Sequence, residues 1–328
     1  MDYELNDDQR AILDSVAQLT ARHAGPARAI SLARSGAYDE ELDRELAAAG
    51  YLDMLAAGAE VDGSPGPSPG PGPGPGPGPL EAALVVEAVA RNAGTVAVGA
   101  QVLAVPAVFG SRELPRPIAV MASPAEDVVR FAAQARSLLV LDGEDLRLVA
   151  LRGVASVNSI FGYPFGRIAS ELAQTGESLG VGKAAVFRSW WRVALSLECI
   201  GSMQAALDVT VEYLRNRRQF GRPIGSFQAV QHRLAECAVL IEGARWLALE
   251  AAWAGAPAEA AAVACAHAVH AAGSVFTETH QLTGAIGFTR EHDLHVWTMR
   301  LQALRREMGG EEGHQDAVSS TRWNAAIS

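Results

Sequence analysis

Four arginines gather where one predicted helix ends and a turn begins. They are Arg215, Arg217, Arg218 and Arg222. The turn that follows, FGRPIGS, leads into a second predicted helix, for which Ser226 is a suitable N-terminal cap. The free amides of a helix start and nearby guanidinium groups attract anions. The spacing therefore predicts a phosphate or diphosphate site, although cations at a helix end also offset the helix dipole.

An aromatic ring and two polar side chains accompany these arginines. Phe220 lies between them in the sequence. Gln228 and His232 are four residues apart on the second predicted helix, so they share one helix face. Together these residues indicate a ligand that is both phosphorylated and aromatic, without identifying it.

The composition limits the class of protein. The chain has 328 residues, of which 49% are hydrophobic and 20% charged, as in a globular protein of about two domains. Its formal net charge of -10 argues against nucleic acid or an anionic membrane as a main partner. The N-terminus, MDYELNDDQR, lacks the apolar core of a secretion signal, and no run of 18 apolar residues is free of charge. We therefore expect a cytoplasmic protein without a membrane span.

Cysteine and histidine spacing predicts neither disulfides nor a metal site. Cys199, Cys237 and Cys265 are widely separated along predicted helices. His267 and His270 are three residues apart, but no carboxylate or cysteine completes a metal-ligand set around them with suitable spacing.

Helical patterns flank a proline-rich repeat in the first part of the chain. Asn6 is a predicted cap for the helix in LNDDQRAILDSVAQLTARHA, and DEELDRELAAAGYLDML predicts a second helix that closes on Gly50. Residues 64–79 alternate proline with glycine or serine, which disfavours helix and sheet and predicts a linker or surface loop. Residues 80–91 predict another helix.

A short β-rich region separates these helices from a helical bundle. Its apolar segments predict four or five strands, with Asp142-Gly143 as a hairpin turn. Four long helices with short connections follow and predict an antiparallel bundle. Their predicted ranges are 183–217, 226–254, 257–282 and 291–308. We expect a mainly α protein with a small β domain, divided into N-terminal helices (1–114), a reduced β domain (115–175) and a C-terminal four-helix bundle (176–328).

Two segments of the predicted bundle resemble signatures of the acyl-CoA dehydrogenase family. YLRNRRQFGRPIGSFQAVQHRLAE resembles the segment between the family's long C-terminal helices. QLTGAIGFTREHDLHVW, residues 281–297, resembles its glycine-rich turn before the last helices, and His292 and His295 belong to this segment. The order of the two segments also matches. The resemblance implies the family's architecture, with the central β domain truncated here.

The resemblance also implies FAD as the cofactor. Arg217 matches the family's pyrophosphate-binding arginine, while Gln219 and Phe220 match residues beside the adenosine-diphosphate part, contributed across a subunit interface. We include Gln228 in the same predicted site. The family's glycine turn near this group is matched by Gln281, Gly284, Ala285 and Gly287, with alanine in place of the second glycine.

Two parts of the family's active site have no match in the sequence. The Thr-Glu-Pro-Gly-x-Gly-Ser loop and the Trp-x-Thr/Ser segment, which hold the flavin ring and the thioester, are absent, and MASPAEDVV is the nearest text. The glutamate base, which removes the α-proton while a hydride leaves for the flavin, is also unmatched. Met308 stands at one of its usual positions, with Glu307 one residue short, and Trp191 at the other.

One carboxylate in an apolar run remains as a candidate base. Glu198, in VALSLECIGSM, lies seven residues beyond Trp191 and thus two turns further along the same helix face. A buried carboxylate is costly unless it is paired. We therefore predict Glu198 to be the catalytic base, the structural partner of an arginine or an exposed side chain.

Three functional hypotheses follow. The first is a subunit of an FAD-dependent acyl-CoA dehydrogenase that resembles the two-chain enzymes of actinobacteria. It would form an α2β2 complex, oxidise a bulky, steroid-derived acyl-CoA, pass electrons to an electron-transfer flavoprotein and take its base and flavin-ring contacts from the partner chain. The second is a catalytically silent scaffold subunit. The third is a self-sufficient homo-oligomeric flavoenzyme that uses Glu198 or Glu307.

Overall fold

The computed structural model describes residues 4–57, 77–123 and 126–323. Its first part is helical, and a π-helical turn at Ala100–Ala104 precedes the sixth helix. Helices α1 to α6 span Asp7–His23, Pro26–Ser35, Glu40–Ala48, Met54–Ala57, Pro79–Arg91 and Val105–Phe109.

The cap predicted for α1 is confirmed. The Asn6 side chain accepts a hydrogen bond of 2.8 Å from the backbone of Gln9, whose side chain accepts one of 3.0 Å from the backbone of Asn6. The second predicted helix closes at Gly50 as expected, since α3 ends at Ala48 and Gly50 takes a left-handed conformation (φ 76°); the residues beyond it form the separate helix α4. Most of the predicted proline-rich linker, residues 64–76, lies outside the described residues, and Pro79 begins α5.

The described residues of the β region form seven short strands in two sheets, with a helix α7 at Ser170–Gln174. Strands β1 to β7 span Ile118–Met121, Val128–Arg130, Ser137–Asp142, Asp145–Ala150, Ala155–Val157, Phe165–Arg167 and Glu177–Ser178. The sheets have the orders β1-β3-β4-β7 and β2-β6-β5, and only β1 and β3 pair in parallel. The prediction of four or five strands was too low because strands of two or three residues show no alternation of apolar and polar positions. The hairpin at Asp142-Gly143 is confirmed, since Asp142 pairs with Asp145.

The C-terminal region is a bundle of long helices. Helices α8 to α12 span Val181–Asn216, Gln228–Trp253, Ala258–Thr283, Leu294–Leu304 and Gly310–Trp323. The four predicted helices are present, and the polar fifth helix, α12, was not predicted. A two-stranded hairpin, β8 (Arg218–Gln219) and β9 (Arg222–Pro223), joins α8 to α9. Single 3-10 turns lie at Ile224–Ser226, Gly284–Phe288 and Glu307–Gly309.

One segment passes a test for membrane spans by length and composition. An 18-residue window within Ala258–Phe288 has a mean hydropathy of 1.3, and half of this window is buried inside the protein. A buried core helix passes the same test, so the result is weak evidence for a span.

The long helix α8 is the centre of the core and packs against α5, α9, α10 and α11. Gly201 on α8 allows the backbones of α8 and α5 to approach closely. A Cβ there would overlap the carbonyl oxygen of Glu87 and come within 2.8 Å of the Arg91 nitrogen. Since both atoms belong to a helix backbone, neither can move aside cheaply.

We expect Gly201→Ala to lower the free energy of unfolding by about 1–3 kcal/mol, because the added methyl group forces α8 away from α5. The matched control is Gly182→Ala in the same helix, where an added Cβ meets no atom within 4 Å. The control should change stability by less than about 1 kcal/mol. Urea unfolding of both variants makes the comparison, and equal losses would contradict this description of the packing.

Candidate functional site

The predicted anion site lies on the hairpin after α8. Phe220 and Gly221 are its two central residues, and both have positive φ angles (52° and 80°), as two-residue hairpins with matching twist require. Arg218 pairs with Pro223, and Gln219 pairs with Arg222. This geometry places Phe220 at the tip, where it is 91% exposed. The hairpin therefore exposes an aromatic ring at the surface of the chain.

The arginines around this ring lack acidic partners. Arg217 ends α8, and its backbone N–H donates to the carbonyl of Tyr213 at 2.8 Å. The Arg222 guanidinium lies 3.9 Å from the centre of the Phe227 ring. Within the described ranges, no carboxylate forms an ion pair with Arg217, Arg218 or Arg222. Three cations thus remain available to an anion at one exposed turn.

The cap predicted for α9 was wrong. The Ser226 hydroxyl donates to the carbonyl of Pro223 at 2.7 Å, because the chain forms a 3-10 turn before the helix. Phe227 occupies the cap position, and no side chain bonds to the first amides of α9. The helix start therefore keeps free donors next to the arginines, and Gln228 is its first residue.

The glycine-rich turn ends α10. Gln281 lies in the last turn of that helix, and Gly284 ends it with φ 66°. Ala285 and Gly287 belong to the 3-10 turn that follows. A Cβ on Gly287 would overlap the Thr283 hydroxyl, so packing within the turn already requires glycine there.

Two contacts hold the hairpin and the glycine turn at the same end of the bundle. Arg233 on α9 pairs with Glu278 on α10 at 2.5 Å. The ring of Tyr213, near the end of α8, lies 5.4 Å from that of His292 beyond the glycine turn. The structure thus brings the two predicted parts of the cofactor site onto one end of the molecule.

The side chains at this end suit the adenosine-diphosphate part of FAD. Unpaired guanidinium groups and a helix start are donors for a diphosphate, and the exposed ring of Phe220 offers a surface for an aromatic base. The flavin-ring end has no such match. The text nearest to the family's flavin-ring loop is MASPAEDVV, and there only residues 122–127 separate β1 from β2. The fit of the described residues is therefore to the nucleotide end of the cofactor.

Glu198 is bound by a buried arginine. Arg130 on β2 donates from Nη1 to Glu198 Oε2 at 2.5 Å, and from Nε to Glu307 Oε1 at 2.8 Å. The Gly99 amide donates to Glu198 Oε1 at 3.2 Å. Glu198 is 2% exposed and Arg130 7%. The arginine pairing predicted as one alternative is present, and the catalytic role of Glu198 stays a prediction.

Aromatic rings surround this ion cluster. The Arg130 guanidinium carbon lies 4.9, 5.2 and 5.8 Å from the ring centres of Tyr163, Phe131 and Trp191. Rings at these distances stabilise a cation. Burial opposes the charged form of Arg130, but the carboxylates of Glu198 and Glu307 outweigh it and raise the pKa of Arg130.

Burial changes the protonation of Glu307. Burial raises the pKa of Glu307 to about 7, against the opposing charge of Arg130 and with a further increase from Glu198. The cluster holds two carboxylates for one guanidinium, so a proton on Glu307 balances its charge. Glu307 also precedes Met308, which takes a left-handed conformation (φ 55°) at one of the two positions that the resemblance predicts for the base.

Two buried arginines of this region were not predicted from the sequence. Arg130 stands among apolar residues in the strand segment DVVRF. A charged residue at an apolar position was the one sign in the sequence that Arg130 is buried and paired. Arg300 donates to the Gly94 carbonyl at 2.8 Å and lies 4.6 Å from the ring centre of Tyr163. Their partners are far away in sequence, so spacing could not reveal them.

The histidines form no metal centre in the part of the chain that is described, where no group of three or more His, Cys, Asp or Glu side chains could hold a metal ion. His270 instead pairs with Glu311, at 3.0 Å between Nδ1 and Oε1. His280 is buried between the rings of Phe276 and Phe288, with centroids at 4.4 and 4.9 Å.

Comparison with known proteins identifies related chains. Residues 182–320 match the family model for the acyl-CoA dehydrogenase C-terminal domain. Over 316 residues the chain is 31% identical to acyl-CoA dehydrogenase IpdE2 of Mycobacterium tuberculosis. This alignment covers 90% of this chain and 91% of that protein.

Solved structures share the fold over nearly the whole chain. The Tcur3481-Tcur3483 steroid ACAD G363A variant is 25% identical, with a TM-score of 0.76 and coverage of 98% of this chain and 99% of that one. A chain of the ChsE4-ChsE5 complex from Mycobacterium tuberculosis is 21% identical, with a TM-score of 0.76 and coverage of 97% and 98%.

The raised pKa of Glu307 predicts a pH dependence of stability. With a folded pKa of about 7 and an ordinary value of 4.5, the folded protein holds an extra proton between these values. This proton on Glu307 stabilises the folded protein. The stabilisation is complete below the pKa of the unfolded state, 4.5, and is lost as the pH rises through the pKa of the folded state, about 7. Stability relative to Glu307→Gln, which cannot titrate, should therefore fall between about pH 5 and pH 8. Urea unfolding at both pH values measures it, and a constant difference would contradict the assignment.

Proposed function

This chain belongs to the acyl-CoA dehydrogenase family, and we propose that it is the reduced subunit of a heteromeric, FAD-dependent acyl-CoA dehydrogenase. In this proposal a second acyl-CoA dehydrogenase chain supplies the flavin-ring contacts and the catalytic base. This chain supplies the residues that bind the nucleotide end of FAD across the subunit interface.

The observation that carries the proposal is the ion cluster at the place of the base. Position 308 is methionine, and the two nearby carboxylates, Glu198 and Glu307, both bind Arg130. A base must present a free carboxylate to the proton that it removes. The paired carboxylates therefore favour a base on another chain, while the unpaired arginines of the hairpin face outward.

When bound, FAD accepts the hydride that leaves the acyl chain. The contribution of this chain is to hold the cofactor. Arg217 offers a planar set of donors for a diphosphate oxygen pair, and Gln219 and Gln228 offer amide groups beside it. Gln281 and the turn at Gly284–Phe288 complete this end of the site. Phe220, exposed at the hairpin tip, would be covered by the partner in the complex.

The substrate and the other partners belong to the same proposal. We propose a bulky, steroid-derived acyl-CoA, an α2β2 assembly and an electron-transfer flavoprotein as the electron acceptor. A protein of similar fold is named a steroid ACAD, and another is a complex of two chains. We also propose a cytoplasmic location, which the three unpaired cysteines support.

A self-sufficient flavoenzyme is the second candidate function, and one observation favours it. The pKa of Glu307 is raised to about 7 by burial, which suits a base that works near neutral pH. A silent scaffold is the third candidate, and it predicts no effect of the hairpin arginines on FAD.

Replacement of the diphosphate-binding arginine tests the cofactor role. In the assembled complex, Arg217→Gln should weaken FAD binding by roughly ten- to a hundredfold, since a charge-assisted hydrogen bond is worth about 1.5–3 kcal/mol. Arg22→Gln, which replaces an exposed arginine of α1 outside the predicted site, is the matched control and should retain FAD. Fluorescence of released flavin during dilution measures the affinity. An unchanged affinity in Arg217→Gln, with an intact complex, would favour the scaffold.

Glu198→Gln tests the assignment of the base. Removal of one charge from a buried ion pair should lower the free energy of unfolding by about 2–4 kcal/mol. Turnover is measured at a temperature where the complex stays folded. It should remain within about twofold of wild type, because a base on another chain is unaffected. Loss of a true base lowers turnover by about a hundredfold or more. Glu307→Gln in the same complex is the parallel variant. A large loss of turnover in either variant, with FAD still bound, would assign the base to that carboxylate.

A further inference from the structure

A cavity of about 340 Å³ lies against the glycine turn. It is formed by α2, the loop at residues 159–162, the end of α10, the 3-10 turn and α11. Its volume falls within the range of small-molecule sites, about 300–1,000 Å³. Much of the lining is apolar, including Ile30, Phe276, Val296 and Met299.

The cavity contains a buried histidine without hydrogen-bond partners. His280 is 4% exposed, and neither of its ring nitrogens forms a hydrogen bond within the described protein. Burial lowers the pKa of His280, and a contact with the Gly287 backbone, which falls outside hydrogen-bond geometry, opposes this shift. The neutral ring then has one donor and one acceptor. Native proteins rarely leave such groups unsatisfied, so the arrangement points to a polar atom of a ligand.

The mouth of the cavity is cationic. Arg34 on α2 and Arg290 after the 3-10 turn both line it and are exposed. Neither guanidinium has an ion pair or a hydrogen bond to another described residue. Two large apolar side chains, Ile160 and Phe288, are also exposed there, at 67% and 74%. An anionic group at the mouth and an apolar body below it would satisfy all four side chains.

The cavity is separate from the proposed contacts to FAD. Among the residues assigned to the cofactor, it shares only Gly287 and Phe288 of the turn, and packing against Thr283 already accounts for that glycine. The arginines of the hairpin do not line it. A ligand in the cavity is therefore additional to the cofactor, and its binding does not depend on the proposed function.

We propose that this cavity binds a compact amphipathic carboxylate. Arg34 and Arg290 hold the carboxylate at the mouth, the apolar lining holds the carbon chain, and His280 meets one hydroxyl or carbonyl oxygen at the buried end. At a protein-like packing density of about 0.74, the cavity accommodates a molecule of about 250 Å³. This volume suits a medium-length chain rather than a complete acyl-CoA.

Isothermal titration calorimetry with three eight-carbon probes tests the ligand class. Octanoate, 1-octanol and octylammonium share one apolar body and differ in charge. The full-length chain is titrated, in complex with its partner if the chain is soluble only in that form. We expect saturable binding of octanoate, at least tenfold weaker binding of 1-octanol and weaker binding still of octylammonium.

Variants then localise the binding. Met299→Trp fills the cavity and should weaken octanoate binding at least tenfold, and Ala33→Leu repeats this test on another wall should the first variant fail to fold. Arg34→Ala combined with Arg290→Ala should remove the preference for octanoate over 1-octanol. Val239→Trp, which enlarges an exposed side chain of α9 outside the cavity, is the control and should bind as wild type does.

The buried end has its own test. Wild type should prefer 8-hydroxyoctanoate over octanoate by roughly threefold or more, the value of a net hydrogen bond. His280→Phe should reverse this order, because the hydroxyl group then meets only hydrocarbon. The proposal is overturned if octanoate fails to bind at millimolar concentration, or if its binding survives the filling variants unchanged. An unaltered preference in His280→Phe would overturn the assignment of His280.

Discussion

A buried guanidinium group connects the parts of this protein. Arg130 stands on a strand of the small β domain and bonds to Glu198 on α8 and to Glu307 in the turn before α12. An unpaired buried charge would cost several kcal/mol, so the three elements must stay together for each charge to keep its partner. The aromatic rings of Phe131, Tyr163 and Trp191 close the cluster from the remaining directions.

The same cluster shapes the function that we propose. The resemblance predicts the base either in the turn before α12 or on α8, whereas here the carboxylates near these places, Glu307 and Glu198, are bound by an arginine of the same chain. The groups that remain available for ligands lie at the surface, in the arginine hairpin and the glycine turn at one end of the bundle. Such an arrangement suits a chain that completes the cofactor site of a partner.

The sequence allowed the local features and the family to be predicted, because they depend on neighbouring residues. The Asn6 cap, the hairpin at Asp142-Gly143 and the long helices are of this kind. The bond of Arg130 to Glu198 was beyond reach, since its partners are 68 residues apart and only the fold brings them together. The Ser226 cap was wrong because a nearby carbonyl of Pro223 competes for the same hydroxyl. The strand count was too low because strands of two or three residues leave no pattern.

In our proposal this chain contributes half of an FAD site that it shares with a partner chain. The flavin content of the chain with and without its partner tests this proposal most directly. The chain is produced alone and together with an acyl-CoA dehydrogenase encoded beside it, and the visible flavin spectrum and the native mass of each sample are recorded. We expect FAD only in an oligomer that contains both chains. A yellow oligomer of this chain alone, active on an acyl-CoA, would contradict the claim and would assign the base to Glu198 or Glu307.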